Sequence, residues 1–426
     1  MPISINDSSY SAIDRQIQRN KRNFVNSLWL CRNNRYCPPL EMSDPNSTHY
    51  VEYVASSTLL HLCDGWKYLE QALVAIANNS VGICGHLSYY AELRAAMSFL
   101  AVNGLVTCNG KNYVITHQGK PRKLPLTKKT HHAVWQLLAD FANPRKNNGV
   151  DKIDIGSIIY LDRIPLSDWI DAFCGSQHTY NVFPKYLKAW GIDLKKYNSD
   201  RNQRNKYSYA PCDLIKSHFL SVGEIKDFLN FFWENVDPSL GNGSLNKFDE
   251  YILWLMLNEW KQILGLGKAD FEKKIDFMLS YLSLSEIKRR YYKDFLIQEK
   301  NQLPQFIIRG IEPSTNQSQD LYIDMFVRAF FLLRLATAAV RILLQRNKIS
   351  RSDLSFWWSQ LGKQNGLWDI ACVPTDFLDL RANIDDALLD INTFDTEDNY
   401  SFLQKEAAAL QTLSKTQYIL LWGLAL

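Results

Sequence analysis

The chain of 426 residues lacks the short motifs that mark the common enzyme classes. It has no P-loop, no G-x-G-x-x-G fingerprint, no H-E-x-x-H zinc motif, no G-x-S-x-G nucleophile elbow and no protein-kinase motif set. Each of these motifs brings backbone or side-chain groups to a phosphate, a metal ion or an acyl group. Without them the sequence predicts no cofactor and no metal site.

The eight cysteines also form no recognisable pattern. No C-x-x-C pair occurs, and no compact group of cysteines and histidines has the spacing of zinc ligands. Residues 1–10 lack the basic and then apolar segments of a secretory signal. Scattered thiols without such a signal are typical of the reducing cytoplasm, which is the localisation that we expect.

No long apolar stretch of the sequence lacks charged residues. The most apolar stretch, residues 321–344, is interrupted by charged side chains. These are Asp324, Arg328, Arg334 and Arg341. Charges at such depths argue against a membrane span and favour a helix that is buried or faces a partner.

The apolar tail at 418–426 is too short to span, and we expect it to dock into a groove on this fold or on a partner.

Charge is distributed unevenly along the chain. The whole sequence has 48 basic and 44 acidic residues, a net charge of +4. Residues 117–216 carry 17 basic and 9 acidic side chains, whereas residues 217–426 have a net charge of −5. A basic middle part beside an acidic C-terminal part suggests that the middle contacts an anion or an acidic partner. The alternative is an ordinary solvated face.

Hydrophobic spacing predicts a mainly helical chain. The predicted helices cover 11–30, 50–80, 86–101, 130–141, 167–173, 183–190, 221–236, 247–264, 269–283, 285–298, 319–347, 350–361 and 402–424. Two β-prone runs flank Asn109-Gly110 and predict a hairpin over 105–116, because both turn residues tolerate positive φ. Residues 117–129 are expected to form a basic loop, 153–161 a strand or the start of a helix, 305–308 a lone strand, and 362–400 an irregular acidic segment.

These elements predict a helical bundle with one β-hairpin insertion and a second helical region. We divide the chain into an N-terminal extension at 1–49, a helical module at 50–236 that contains the hairpin, and a C-terminal helical assembly region at 245–426. The length of 426 residues is consistent with more than one domain.

The densest polar and aromatic segment of the chain is residues 200–211, which ends at a proline. If this segment is a helix, Arg201, Arg204, Asn205 and Ser208 share one face, because residues three and four apart lie on neighbouring turns. Arg204, Asn205 and Tyr209 then present a guanidinium, a carboxamide and a phenol near the end of the helix. The alternative is structural, with the arginines in salt bridges and Tyr207 and Tyr209 packed.

This segment resembles the active-site motif of the HEPN superfamily, helical-bundle proteins of prokaryotic conflict systems and RNA metabolism. Many members carry an arginine, often followed by a polar asparagine, and a histidine four to six residues later. Arg204-Asn205-Lys206-Tyr207-Ser208-Tyr209 looks like that motif with tyrosine in place of the histidine. The segments 85–104 and 130–138 resemble further parts of HEPN-like proteins, and the resemblance covers residues 50–235.

The resemblance implies an RNA-related function. In active members the arginine stabilises the charge on the phosphorus and the histidine moves a proton during metal-independent RNA cleavage. A phenol has a pKa of about 10, so Tyr209 is hardly ionised at neutral pH. We therefore expect a component of an anti-phage defence system that binds RNA, another anion or a partner protein without cleaving RNA. The alternatives are a metal-independent endoribonuclease that uses Arg204, and a purely structural subunit.

A second polar column lies on the predicted helix at 86–101. His86, Tyr90 and Arg94 are spaced four residues apart on an otherwise apolar helix. Our hypothesis is that this column faces Arg204 and that His86 supplies the base that the motif lacks. The catalytic candidates are then Arg204, Asn205, Tyr209 and His86. The alternative for His86 is an ordinary hydrogen bond between helices.

Basic residues around the predicted helix at 130–141 are candidates for phosphate contacts. Together with the helical arginines, the anion-binding set is Arg94, Lys120, Arg122, Lys123, Lys128, Lys129, Arg145, Lys146 and Arg201. Such contacts would be sensitive to salt and indifferent to base sequence. The alternative is that these residues only keep the surface soluble. The expected partners are RNA and either a partner protein or a second copy of the chain, with no membrane.

Overall fold

Helices dominate the computed structural model, which describes residues 4–19, 21, 45–46, 49–108, 111–142, 151–175, 197–209, 219–236, 238, 248–298, 321–369 and 372–424. The helices are α1 (Tyr10–Arg19), α2 (Tyr50–Ala77), α3 (Val81–Val102), α4 (Thr130–Ala142), α5 (Ile155–Ile158), α6 (Leu166–Cys174), α7 (Tyr197–Tyr209), α8 (Val222–Glu234), α9 (Phe248–Ile263), α10 (Lys268–Tyr281), α11 (Glu286–Leu296), α12 (Leu321–Arg346), α13 (Ser355–Asn365), α14 (Leu380–Thr393), α15 (Asn399–Lys405), α16 (Ala407–Leu413) and α17 (Gln417–Leu424). The strands are β1 (Leu105–Cys108), β2 (Lys111–Ile115), β3 (Pro121–Lys123), β4 (Tyr160–Leu161) and β5 (Ile164–Pro165). The predicted mainly α-helical class with a β-hairpin insertion is confirmed.

Three long helices, α2, α3 and α12, pack against one another at the centre of the fold. The contact between α2 and α12 is close because position 65 is glycine: a Cβ there would lie 2.6 Å from Cδ2 of Leu333. One turn after Leu333 on α12, Oγ1 of Thr337 accepts a 2.9 Å hydrogen bond from the indole Nε1 of Trp66, the residue that follows Gly65. The core therefore combines close backbone approach with one satisfied polar contact.

The arginines that interrupt α12 are buried, and each reaches a different neighbour. Arg334 forms a bidentate pair with Asp249 of α9, with distances of 3.1 and 2.5 Å. Arg341 donates to the carbonyl oxygen of Ile158 at 3.0 Å. Arg328 extends toward α7 and α3. The helix is buried as predicted, and its charges connect it to the elements around it.

The C-terminal tail docks on its own fold, which is one of the two outcomes that we expected. Helix α17 is buried against α2 and α12. The hydroxyl of Tyr418 donates to the carbonyl of Leu367 at 2.6 Å, and the indole of Trp422 donates to the carbonyl of Phe377 at 2.7 Å. Burial of its apolar side chains and the hydrogen bonds of Tyr418 and Trp422 together hold α17 on the fold.

The predicted hairpin is present as an antiparallel pair. Leu105 faces Val114 and Cys108 faces Lys111, so two residues remain between the strands. These two, Asn109 and Gly110, lie outside the described residues. The segment 117–129, predicted as a loop, adds the third strand β3, which pairs with β2 along the edge of the sheet. Pro121 is tolerated there because an edge strand has an unpaired side.

Two predictions for the C-terminal part were wrong. The segment 362–400 is not irregular, because it contains α14, in which Leu380, Ile384 and Ile391 are buried at helical spacing. The acidic residues that suggested irregular structure occupy its exposed face. The predicted single helix at 402–424 is divided into α15, α16 and α17.

Three further predictions fall wholly or partly outside the described residues. These are the helix at 183–190, the lone strand at 305–308, and the part of the predicted helix at 11–30 that follows α1. The domain boundaries stay predictions, although α12 packs on α2 and α3 and one cluster of buried side chains joins the predicted module to the C-terminal region. No helix in the described ranges is long and apolar enough to cross a membrane.

The buried pair between Arg334 and Asp249 should contribute strongly to stability. Replacing Asp249 by alanine removes the bidentate carboxylate partner of a buried guanidinium, so we expect a loss of about 3–5 kcal/mol in the free energy of unfolding. Urea unfolding followed by circular dichroism measures it. The control Asp294→Ala, which removes an exposed carboxylate on α11, should change stability by less than about 0.5 kcal/mol. Equal effects of the two substitutions would contradict this assignment.

Candidate functional site

The candidate site lies where α3, α4 and α7 meet. Helix α7 contacts α3 at very short range because position 85 is glycine: a Cβ there would lie 2.3 Å from the ring of Tyr207. Tyr207 is buried in this contact, which agrees with the packing alternative for that residue. The close approach brings Arg201, Arg204 and Ser208 of α7 next to side chains of α3 and α4.

Arg204 occupies the centre of this site. It is only 9% exposed, and its guanidinium carbon lies 5.2 Å from the ring centroid of Tyr89 and 5.6 Å from that of Tyr90. Within the described part of the chain, its Nε atom has no hydrogen-bond acceptor, and no carboxylate forms an ion pair with it. Cation–π contacts are worth about 0.5–2 kcal/mol each, which is small compared with the cost of burying an unpaired charge.

Two histidines lie close to Arg204. The Nδ1 atom of His131, on α4, shares a 3.2 Å hydrogen bond with the hydroxyl of Tyr89, and the two rings are stacked. The Nδ1 atom of His86, on α3, lies 2.6 Å from Oγ of Ser208. Since Ser208 donates its proton to the carbonyl of Arg204, the neutral ring of His86 donates from Nδ1 and keeps a lone pair on Nε2.

Two further imidazoles each accept a hydrogen bond from an arginine. Arg94 donates to Nδ1 of His61 at 3.0 Å and also lies 3.9 Å from a carboxylate oxygen of Asp64. Arg201 contacts the imidazole of His132, next to His131 on α4. We call Arg94, Arg201, Arg204, His86, His131 and His132, with the rings of Tyr89 and Tyr90, the arginine–histidine cluster.

Burial and positive charge keep the histidines of the cluster neutral. Burial, followed by the charge of Arg204, lowers the pKa of His86. The pKa of His131 is lowered by burial and then by the positive charges of Arg204 and Arg94. The same causes, with Arg201 as the charged neighbour, lower the pKa of His132. These rings are therefore uncharged at pH 7, and the arginines carry the positive charge of the cluster.

A buried network holds α7 in place. Arg328 donates a 3.0 Å hydrogen bond to Asp200 on the first turn of α7, and its Nε lies 4.0 Å from a carboxylate oxygen of Glu92 on α3. Burial, and next the charge of Asp200, raise the pKa of Glu92 to about 8, against the lowering effect of Arg328. Glu92 is thus mainly protonated at pH 7, and the pair of Asp200 with Arg328 anchors the helix that carries Arg204.

The structure brings together only part of the predicted site. Arg204, His86 and Arg94 lie in the cluster, whereas their predicted role in one functional pocket stays a prediction. Asn205 is half-buried, and Tyr209 is 80% exposed at the end of α7, so the phenol does not stand in for a histidine beside Arg204. Tyr209 is also not packed, contrary to the structural alternative for that residue.

The predicted basic residues lie on the surface near the cluster or outside the described ranges. The side chains of Lys120, Arg122, Lys123, Lys128 and Lys129 are exposed on β3 and the segment that leads into α4. Of these, Lys128 is near enough to His132 to contribute to its lowered pKa. Arg145 and Lys146 lie outside the described residues.

His131, His132 and Tyr89 also belong to the site, although the sequence pattern did not predict them. Adjacent histidines suit neither metal chelation on one helical face nor a catalytic triad, so they carried no recognisable pattern. On α4, neighbouring residues point about 100° apart, which lets His131 face α3 while His132 faces α7. The helix itself was predicted from hydrophobic spacing. The 100° angle between neighbouring residues on it could have indicated that His131 and His132 contact two different helices.

Comparisons with protein-family models, with curated proteins and with solved structures find no match for this chain. The resemblance to the HEPN superfamily therefore stays a prediction. Among the described residues, no group of three or more histidine, cysteine, aspartate or glutamate side chains is arranged to hold a metal ion.

The raised pKa of Glu92 predicts a dependence of stability on pH. The folded state holds a proton that the unfolded chain releases near its ordinary pKa of about 4.3. Stability from this group is complete below that value and declines by about 1.4 kcal/mol per pH unit as pH rises toward 8. We expect Glu92→Gln to remove this decline, as measured by urea unfolding across that pH range.

The matched control for this substitution is Glu70→Gln, which alters another buried glutamate, on α2. That variant still contains Glu92 and should keep the alkaline decline. A wild-type protein and a Glu92→Gln variant with the same pH dependence would show that Glu92 does not carry the raised pKa.

Proposed function

We propose that the arginine–histidine cluster binds the phosphodiester backbone of RNA. The observation that carries this proposal is the buried guanidinium of Arg204, which has no carboxylate partner among the described residues and has a free Nε donor. Arginine forms charge-assisted, often bidentate hydrogen bonds with phosphate. A phosphate bound at this position would supply the negative charge and the hydrogen-bond acceptors that Arg204 lacks among the described residues.

The surroundings of Arg204 are suited to an extended anion. Arg94 and Arg201 are half-buried and their charges both act on His131, and neither makes a close bidentate pair with a carboxylate in the described residues. The exposed lysines that precede α4 continue the positive surface away from the cluster. Several phosphates in succession, as in a nucleic-acid strand, fit this arrangement better than a single small anion.

Aromatic rings beside the arginines favour a nucleic acid over inorganic phosphate. Tyr90 is half-buried and lies 5.5 Å from the half-buried ring of Tyr68 and 4.9 Å from the ring of His86, measured between ring centroids. Partly exposed rings next to cationic groups support stacking of unpaired bases. Single-stranded RNA is therefore the ligand that we propose.

The resemblance to HEPN proteins adds a biological setting to this proposal. If the chain is a degenerate member, it would act in a prokaryotic conflict system such as anti-phage defence. That setting depends on the resemblance alone. The binding proposal depends on Arg204 and its neighbours and would stand without it.

RNA cleavage is the second candidate, and one observation favours it. His131 and His86 are neutral and adjacent to Arg204, so either could remove a proton from a 2′-hydroxyl while Arg204 stabilises the charge at phosphorus. Cleavage also needs a proton for the leaving 5′-oxygen. At pH 7 the histidines with lowered pKa are neutral and lack the acidic imidazolium proton that a general acid donates, and for this reason we rank binding first.

Fluorescence anisotropy with a labelled single-stranded RNA tests the binding proposal. Loss of a charge-assisted contact of about 2 kcal/mol weakens binding about 30-fold, which is the effect that we expect for Arg204→Gln. The dependence of log K on log salt should fall by about 0.7 for each phosphate contact that is lost. The control Arg19→Gln removes an exposed arginine on α1 and should leave affinity within about twofold.

The same samples distinguish binding from cleavage on a denaturing gel with EDTA present. Intact RNA at pH 7 supports a binding protein. Cleavage that is lost in both Arg204→Gln and His131→Asn, and that becomes faster as pH falls, would support the second candidate. Unchanged affinity in a folded Arg204→Gln variant would contradict both functions of this cluster.

A further inference from the structure

Exposed apolar side chains are concentrated in two parts of the molecule. Thirteen large hydrophobic side chains are exposed in the described residues, and ten of them belong to these two parts. The first part contributes Ile263, Leu264, Phe277, Tyr281, Ile287 and Tyr291. The second contributes Val373, Leu378, Leu389 and Tyr400. Scattered exposed apolar residues need no explanation, but such concentrations mark interaction surfaces.

The first surface, which we call the α10–α11 face, combines aromatic rings with positive charge. On α10, Lys273, Phe277 and Tyr281 follow one another at four-residue spacing, so they line one side of the helix. On α11, Ile287 and Tyr291 are also four residues apart and line one side of the helix, and Ile287 is 84% exposed. Two exposed arginines, Arg289 and Arg290, lie between them in sequence, and neither forms an ion pair with another described residue.

The second surface, which we call the α14 face, combines leucines with negative charge. Residues 376–398 contain eight acidic side chains and one basic side chain. On α14, Asp386 and Leu389 are three residues apart and share the exposed side of the helix. Leu378, which precedes the helix, and Tyr400, which follows it on α15, are also exposed.

The two faces belong to different parts of the fold. Helices α10 and α11 pack on each other, α10 on α6 and α11 on α9, whereas α14 packs on α8 and α16. One chain therefore presents both faces outward. Two chains can bring the α10–α11 face of one against the α14 face of the other.

We propose that this chain associates head to tail, with the α14 face of one copy docked on the α10–α11 face of the next. Each face has apolar anchors, and the net charges around them are opposite in sign: residues 268–294 carry seven basic and five acidic side chains, a net charge of +2, and residues 376–398 have a net charge of −7. Pairing two α14 faces would instead place carboxylates against carboxylates, which is unfavourable. The tyrosines and arginines of the α10–α11 face are the residue types that dominate binding energy at protein interfaces.

A head-to-tail contact is heterologous, so two bound copies together leave one free face of each kind. Such contacts close into a ring or extend into a filament. They also have a signature that a symmetric dimer lacks. Two variants that are each defective in a different face can still bind each other through their intact faces.

Sedimentation velocity over a range of protein concentrations tests this inference. The wild-type chain should associate, and the association should weaken as NaCl is raised, because salt screens the opposite charges. Phe277→Asp and Leu389→Lys each remove an apolar anchor and introduce a charge of the same sign as the opposing face. We expect each variant alone to associate about tenfold more weakly or worse.

An equimolar mixture of these two variants should form a complex of twice the 49.3 kDa chain mass that does not grow further. The control Ile83→Asp changes an exposed apolar residue on α3, outside both faces, and should associate like the wild type. Circular dichroism confirms that each variant is folded. A wild-type chain that stays monomeric, a mixture that stays monomeric, or loss of association in only one of the two variants would overturn the proposal.

Discussion

The guanidinium of Arg328 connects the core of the fold to the candidate site. It projects from α12, a helix that is almost wholly buried, and meets Asp200 on α7 and Glu92 on α3. Removing an ion from water costs several kcal/mol, so a buried arginine is stable only when its partners are held in place. Because Asp200 lies on the first turn of the helix that carries Arg204, the same interaction that satisfies the core also fixes the position of the site.

Burial then decides the charge state of that site. The imidazoles beside Arg204 have lowered pKa values, and the carboxyl of Glu92 has a raised one, so the ionisable groups around the arginines favour their neutral forms. Positive charge remains on the arginines and has little compensation nearby. A bound phosphate would supply that compensation, and its negative charge would raise the pKa of the neighbouring histidines.

The fold was largely predictable where local pattern decides structure. Asn109-Gly110 between two β-prone runs predicted the hairpin, and the apolar stripes predicted α2, α3 and α12 within a few residues. The helix α14 was missed because its exposed acidic side chains obscured the buried positions Ile384 and Ile391. Charged residues mark the exposed side of a helix, but the spacing of the apolar residues indicates whether a segment is helical.

The site was predictable only in part, because its members come from distant segments. The periodicity of one helix placed His86 and Arg94 on a common face, and the motif-like segment identified Arg204. That His131 lies beside Arg204 depends on the packing of α4 and α7 on α3, with 73 positions separating the two residues. No local pattern specifies that contact, nor does it specify that Asp249 and Asp200 are the partners of the arginines in α12.

The central claim is that Arg204 forms a phosphate site next to a neutral His131. The most direct measurement is the pKa of the His131 ring by NMR, with and without a saturating 2′-O-methyl single-stranded RNA that cannot be cleaved. We expect a value below the ordinary 6.5 in the free protein and an increase when RNA is bound. A free value at or above 6.5, or a bound value equal to the free one, would contradict this claim.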